Sequence, residues 1–304
     1  MKVLRIVRVL ALLALAGIAL ATPGFLSWPS ILSLLTTVSF IGCVGVGMTL
    51  ITISGNIMSF SLGSTVGAAA MIFVASVNAF GVSAAFVIAL LFGGFVSGVQ
   101  GLVIGLFRAN PIIVSIASLS LIYGIAEAFA ESGTIYAVAG TDYGLLKGAI
   151  FGIPREFLAL LLLTGIAQFI LVFTTFGRNL LMVGSSFQAS EAVGIKTWRT
   201  VTGAFIWAGL CAGLAGVMLA IRYDSASMAY GFGYDYDAVA AVLVGGTAIK
   251  GGQGSAVRTL VGALVIAIIQ VVLLLQGFRQ EWQYFIAGLV VLAVIILQTR
   301  GVRD

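Results

Sequence analysis

Histidine is absent from this chain of 304 residues, and lysine occurs only at Lys2, Lys147, Lys196 and Lys250. Without histidine, a membrane-embedded enzyme built on His/Glu metal ligands has little to stand on. With so few lysines, a phosphate-binding loop has few places to form. No G-x-x-x-x-G-K-[ST] sequence occurs, and Gly194-Ile195-Lys196-Thr197 supplies only its tail, without the upstream glycine spacing or a preceding strand. Charge is scarce as well, at 8% Asp, Glu, Lys and Arg. Within the apolar stretches only Glu127 is clearly ionisable, whereas proton-driven carriers hold buried acids, histidines or lysines as relays. The two cysteines, Cys43 and Cys211, each sit in an apolar stretch, so no disulfide framework is expected. A chain with neither a proton relay nor a nucleotide site is a passive channel or takes its energy from a partner.

What is present belongs in lipid. The chain is 61% hydrophobic with a mean hydropathy of +1.20. Thirty-nine glycines against four prolines suit spans that pack closely through small residues. Apolar spans fall at roughly 9–22, 31–53, 64–79, 82–107, 112–130, 157–175, 200–221, 237–249, 258–275 and 282–298. The expectation is an all-α membrane protein with about ten transmembrane helices, residues 1–304 forming one domain.

Charge placement sets an orientation. With the N-terminus in the cytoplasm, Lys2, Arg5, Arg8, Arg108, Arg178, Lys196, Arg199, Lys250, Arg258, Arg300 and Arg303 lie inside, and only Lys147, Arg155, Arg222 and Arg279 lie outside. That bias favours an even number of crossings with both ends cytoplasmic. The basic residues are scattered singly, so the net charge of +5 implies no affinity for nucleic acid. Lys2, Arg5 and Arg8, the apolar run after them and Ala19-Leu20-Ala21 together also resemble a secretory signal. An uncleaved first span is the reading adopted.

The second half holds one substantial polar island, Phe176–Arg199, between the uncharged stretches Phe157–Phe173 and Val201–Ile221. Ser185 and Gln188 have the spacing of a capping box, and Gly194 stands where a short helix would stop. A helix presented on the cytoplasmic face is a handle for a partner, or else a solvated connector. Glu191 falls in its last turn, where the helix dipole disfavours an acid, which suggests a basic group in the partner. Elsewhere, Ser54–Thr65 carries Asn56, Ser59, Ser61 and further hydroxyls, which suit either a neutral hydroxyl-rich solute or hydrogen bonds between helices. The block from Asp237 to Lys250 is short for a span and has Gly245, Gly246 and Thr247 at its inner end. Short or re-entrant segments near 54–64 and 237–250 would line a cavity, although bilayer thinning also accommodates a short span. Glu127 near the outer end of its span either serves the pathway or reaches the interface.

Three blocks carry a resemblance to a family. FGRNLLMVGSSFQASEAVGI resembles the cytoplasmic coupling segment of bacterial ABC importer permeases of the ribose, xylose and simple-sugar class, with Phe176, Gly177, Arg178, Val183, Gly184, Ala189, Gly194 and Ile195 matching without a gap. YDAVAAVLVGGTAIKGGQG, at 236–254, is similar to that family's acidic start, short span, Gly-Gly-Thr turn and Gly-Gly-x-Gly loop. NPIIVSIASLSLIYGIAEAFAESGT, at 110–134, follows its cytoplasmic turn and fifth span. Three positions depart from the pattern: Ser59 where an acid is usual, Ser186 where Asn is usual and Glu191 where a basic residue is usual. The resemblance implies a type II-like permease of large helix number, working as a homodimer with two copies of a cytoplasmic ATPase that binds ATP and Mg. It further implies an external sugar-binding protein that supplies most of the selectivity. Coupling to the ATPase would fall to 176–199, with Ser185, Gln188 and Glu191 beside the matched residues. The solute path would fall to Asn56, Ser59, Ser61, Glu127, Asp237, Gly245, Gly246 and Thr247. Permeases for branched-chain amino acids or nucleosides, and an ATP-independent channel or secondary transporter, are the alternatives.

Overall fold

Apolar runs free of interior proline become helices here, and three of the four prolines mark helix starts. In the computed structural model, which describes residues 17–56, 58–130, 133–138, 140–279, 281–286, 288–289 and 292, the long helices are α1 (Trp28–Ile53), α2 (Leu62–Phe80), α3 (Val82–Phe107), α4 (Pro111–Phe129) and α5 (Arg155–Phe173). Two short helices follow, α6 (Thr175–Ser185) and α7 (Phe187–Ala192), then the long α8 (Thr197–Tyr223), the short α9 (Tyr234–Val244) and α10 (Ala256–Leu275). Residues 17–21 and 281–286 are also helical.

Seven helices among the described residues are long and apolar enough to cross a membrane. They coincide with seven of the ten expected spans. The expected spans 9–22 and 282–298 lie mostly outside the described residues, as do Lys2, Arg5, Arg8, Arg300 and Arg303. The remaining span, 237–249, is an 11-residue helix that stops at Val244, about 17 Å long at 1.5 Å per residue.

The core centres on α1 and α8, whose inner residues are almost wholly enclosed, whereas α4 buries only Ser115 and Ile122 and lies at the periphery. Small residues decide how closely the helices approach. On α3, Gly93, Ser97, Gly101 and Gly105 recur every fourth position and face α8, the most extensive helix pair. A Cβ on Gly101 would fall 2.5 Å from Cβ of Phe205, and one on Gly105 would fall 2.9 Å from Cα of Trp198. In lipid, where burial alone does not drive helices together, such backbone contact supplies the packing energy.

The connections sort into two ends. At one end, short strands β1 (Thr134–Tyr136) and β4 (Ser225–Ser227) pair antiparallel, with Ile135 opposite Ala226. Between them in sequence, β2 (Ala149–Ile150) and β3 (Ile153–Pro154) form a hairpin, and Lys147 Nζ donates to Asp224 at 2.8 Å. This is the end that charge placement puts outside. At the other end, the corner after α3, the α6–α7 pair and the loop after α9 meet. The strands depart from the purely helical expectation, but involve only ten residues.

Candidate functional site

The island Phe176–Arg199 is not one helix but two. Thr174 Oγ1 accepts from Gly177 N at 3.1 Å and starts α6. Phe176 lays its ring against Gly203 of α8, Gly177 sits directly on the last carbonyls of α5, and Arg178 is exposed. The expected capping box at Ser185 and Gln188 is displaced by one residue. Ser185 closes α6 and donates its hydroxyl to Leu181 O at 2.8 Å, while Ser186 turns extended and accepts from Ala189 N at 3.3 Å. Ser186, where the family pattern has Asn, is therefore the N-cap, a role both residue types fill well. Gln188 is exposed. At the far end Ile195 N bonds Ser190 O at 3.0 Å and Gly194 N bonds Glu191 O at 2.9 Å. With φ +82 at Gly194, these two bonds form a Schellman cap, where a β-carbon would be strained. Ile195 then packs back onto the core.

Glu191 already has a cation within the chain. Its carboxylate pairs with Arg108, at the left-handed corner between α3 and α4, and accepts from Thr197 Oγ1 at 3.3 Å. The Arg108 guanidinium also stands 4.8 Å over the Phe187 ring. The chain thus supplies a cation for Glu191 itself, one that its own helix does not reveal. Beside the pair, Leu181, Met182, Ser185, Ala189 and Val193 border an apolar groove of about 390 Å³, with Val193 73% exposed.

Glycines connect this element to the transmembrane core. Gly252 N donates to Ile53 O at the end of α1, at 2.9 Å. A Cβ on Gly251 would fall 2.5 Å from Cα of Gly55, and one on Gly184 would fall 2.5 Å from Gly252 N. Three chain segments, 53–55, 184–185 and 251–252, thus meet backbone to backbone. The coupling block and the Gly-Gly-x-Gly loop, matched separately in sequence, are in contact. Gly245 ends α9 with a would-be Cβ 2.5 Å from Arg258 O, and Gly246 has φ +82. Thr247 is fully buried, and its hydroxyl has no hydrogen-bond partner among the described residues.

From that junction the described residues 56 and 58–61 are non-helical, and α2 begins at Leu62. Asn56 Nδ2 donates to Ser54 Oγ at 2.8 Å. Ser59 and Ser61 are fully buried, with their hydroxyls 3.0 Å apart, and Ser61 donates to Gln100 Oε1 of α3 at 2.6 Å. Of the two readings of these hydroxyls, bonding between elements is the one seen. Asp235 of α9 accepts from Gly63 N at 2.6 Å and so caps α2 from across the fold. Asp237, two residues on, is buried and lines a separate cavity, while Glu127 lies partly exposed in the last turn of α4. The path candidates are therefore not gathered into one site. Arg108, Gln100, Asp235 and Gly55 escaped the sequence reading; for Asp235, its place beside Asp237 at the acidic start of the second block was the available signal.

The family described as branched-chain amino acid transport system / permease component matches residues 30–295. The chain is 31% identical to the ribose import permease protein RbsC of Bacillus subtilis (strain 168), over 93% of this chain and 88% of the relative. It is 29% identical to the autoinducer 2 import system permease protein LsrC of Enterobacter sp. (strain 638), over 96% and 85%. With the L-arabinose ABC transporter permease protein AraH of Azospirillum brasilense the identity is 28%, over 95% and 86%. No solved structure matches.

Proposed function

The chain belongs to this family of ABC transporter permeases, and from that premise we propose that it is the membrane-spanning subunit of an ATP-driven importer of a small neutral sugar or polyol. The relatives named for ribose, arabinose and autoinducer 2 support the sugar class over branched-chain amino acids or nucleosides. The observation that carries the coupled mechanism is the glycine junction. It joins the end of α6, next to α7, to the end of α1 and the loop after α9, so a push on α7 reaches the core through α6 and this backbone contact.

In this reading a cytoplasmic ATPase, holding ATP and Mg, docks its surface on the groove beside α7. An external binding protein delivers the solute at the opposite end, and a second copy of the chain completes the pathway. Both termini are cytoplasmic and the protein resides in the bacterial inner membrane. The non-helical residues 58–61 and the short α9 act as re-entrant segments, with irregular backbone kept away from lipid by α1, α3 and α10.

The test is reconstitution with a cognate ABC ATPase and a sugar-binding protein. Uptake of at least one of D-ribose, D-xylose, L-arabinose or myo-inositol should need ATP and the binding protein, and should survive collapse of the proton gradient. Uptake by the purified chain alone, driven by that gradient, would refute the proposal; leucine or nucleoside uptake by the full complex would move it to the alternative solute class.

A further inference from the structure

At the end carrying the β1–β4 pair, a cavity of about 290 Å³ opens between the first half of α1, the ends of α8 and α10 and the turn into α9. Its walls are chiefly polar, unlike those of three other cavities of similar size. The lining runs from the exposed Arg222 and Phe232 to Asp237, which is 6% exposed. Asp237 Oδ1 has no hydrogen-bond partner among the described residues, and Gln270 of α10 presents its amide to the same carboxyl group. Phe40 and Tyr234 meet edge to face at 6.4 Å in the wall.

These groups define a ligand by elimination. A buried acceptor left without a donor calls for an O–H or N–H from something that enters. Arg222 in the same wall opposes a cation, and Asp237 opposes an anion. A neutral molecule with several hydroxyl donors satisfies the carboxyl and the amide together, and the carbon-bearing face of its ring lies on the aromatic side chains. The volume is at the low end for ligand pockets, which are about 300–1,000 Å³, and suits one sugar ring rather than two.

The geometry points to a selectivity site within the permease, where a monosaccharide or polyol released outside is caught by Asp237 and Gln270 against Phe40 and Tyr234. It rests on the importer reading above and changes it in one respect: selection is shared with the binding protein instead of left to it. Catching the solute here also limits its escape outward between release and passage.

The test uses the full importer in proteoliposomes with saturating, sugar-loaded binding protein, and whichever of the four sugars the wild type carries. Asp237→Asn and Gln270→Leu should lower the sugar moved per ATP hydrolysed by about tenfold, because a charge-assisted or amide hydrogen bond is lost. ATP hydrolysis stimulated by the binding protein should stay at the wild-type rate, which damage to folding or docking would not allow. Binding of the radiolabelled sugar to the permease–ATPase complex in nanodiscs, without binding protein, should weaken in parallel. If Asp237→Asn does not assemble with the ATPase, Gln270→Leu and a change at Thr37 of α1, which also lines the cavity (Thr37→Val), carry the measurement. A wild-type ratio and wild-type sugar preference in the assembled variants would overturn the site while leaving the importer reading intact. A wild-type complex that moves none of the sugars would overturn both.

Discussion

Replacing Gly184 by Ala adds one methyl group where three backbones meet. The new Cβ would fall 2.5 Å from Gly252 N and still closer to Ile53 O, both backbone atoms that no side-chain rotation can move aside. Overpacking of this kind costs about 1–3 kcal/mol. Separating the segments also loosens the hydrogen bond from Gly252 N to Ile53 O, whose net worth is about 1 kcal/mol. Against this, Ala is the better helix former by about 1 kcal/mol, so the net loss is about 1–3 kcal/mol, concentrated at the junction. Gly165→Ala in α5 is the matched control, since nothing lies within 4 Å of its would-be Cβ, and it should be neutral or slightly stabilising. The readouts are thermal unfolding of the detergent-purified permease and stimulation of the ATPase by loaded binding protein. Gly184→Ala should unfold several degrees lower and lose most of the stimulation while remaining in the membrane. Wild-type values in both measurements would show that the junction yields at no cost and transmits nothing.

The Arg108–Glu191 pair is 61% and 41% exposed at its side chains, so a double-mutant cycle with Arg108→Glu and Glu191→Arg should give a coupling energy below about 1 kcal/mol, with ATPase docking restored in the double variant; docking lost in Glu191→Arg and not recovered would place the partner's cation there after all. With Cys43 and Cys211 replaced, single cysteines at 142 and 279 should react with an impermeant thiol reagent in intact cells and one at 188 should not, and the reverse pattern would invert the orientation.

The long spans were legible because composition alone dictates them: α1, α3, α8 and α10 are apolar runs bounded by glycine, proline or charge. Interior glycines were legible only as close approaches without partners. Nothing local tells that Gly184 meets Gly252 or that Gly101 meets Phe205, because each partner lies in a distant segment of the chain. The pairing of Thr134–Tyr136 with Ser225–Ser227 was invisible for a related reason, since three residues are too few to show an alternation. At α7 the ambiguity was finer. Ser185 and Ser186 are both good caps, and spacing to Gln188 favours the first. The decision rests on where α6 ends: Ser185 spends its hydroxyl on Leu181 O within that helix, and Ser186 is left to turn and cap. For Glu191 the dipole argument counts only its own helix, while Arg108 reaches it from a corner 83 residues away.

The hydroxyls of 54–61 show how far a residue type can carry a functional reading. Their chemistry suits a sugar path and helix-to-helix bonding equally, and only geometry separates the two. In this conformation Ser61 is committed to Gln100, Ser59 to Ser61, and Gly63 at the start of α2 to Asp235. A solute passing there must first part α3 from this stretch, exchanging bonds worth about 1 kcal/mol each for bonds to water or to itself. That exchange is close to balanced, because every donor released meets an acceptor that enters. The stretch is thus closed by packing more than by its hydrogen bonds, and the glycine junction beneath it is the place from which a movement of α6 and α7 would release that packing.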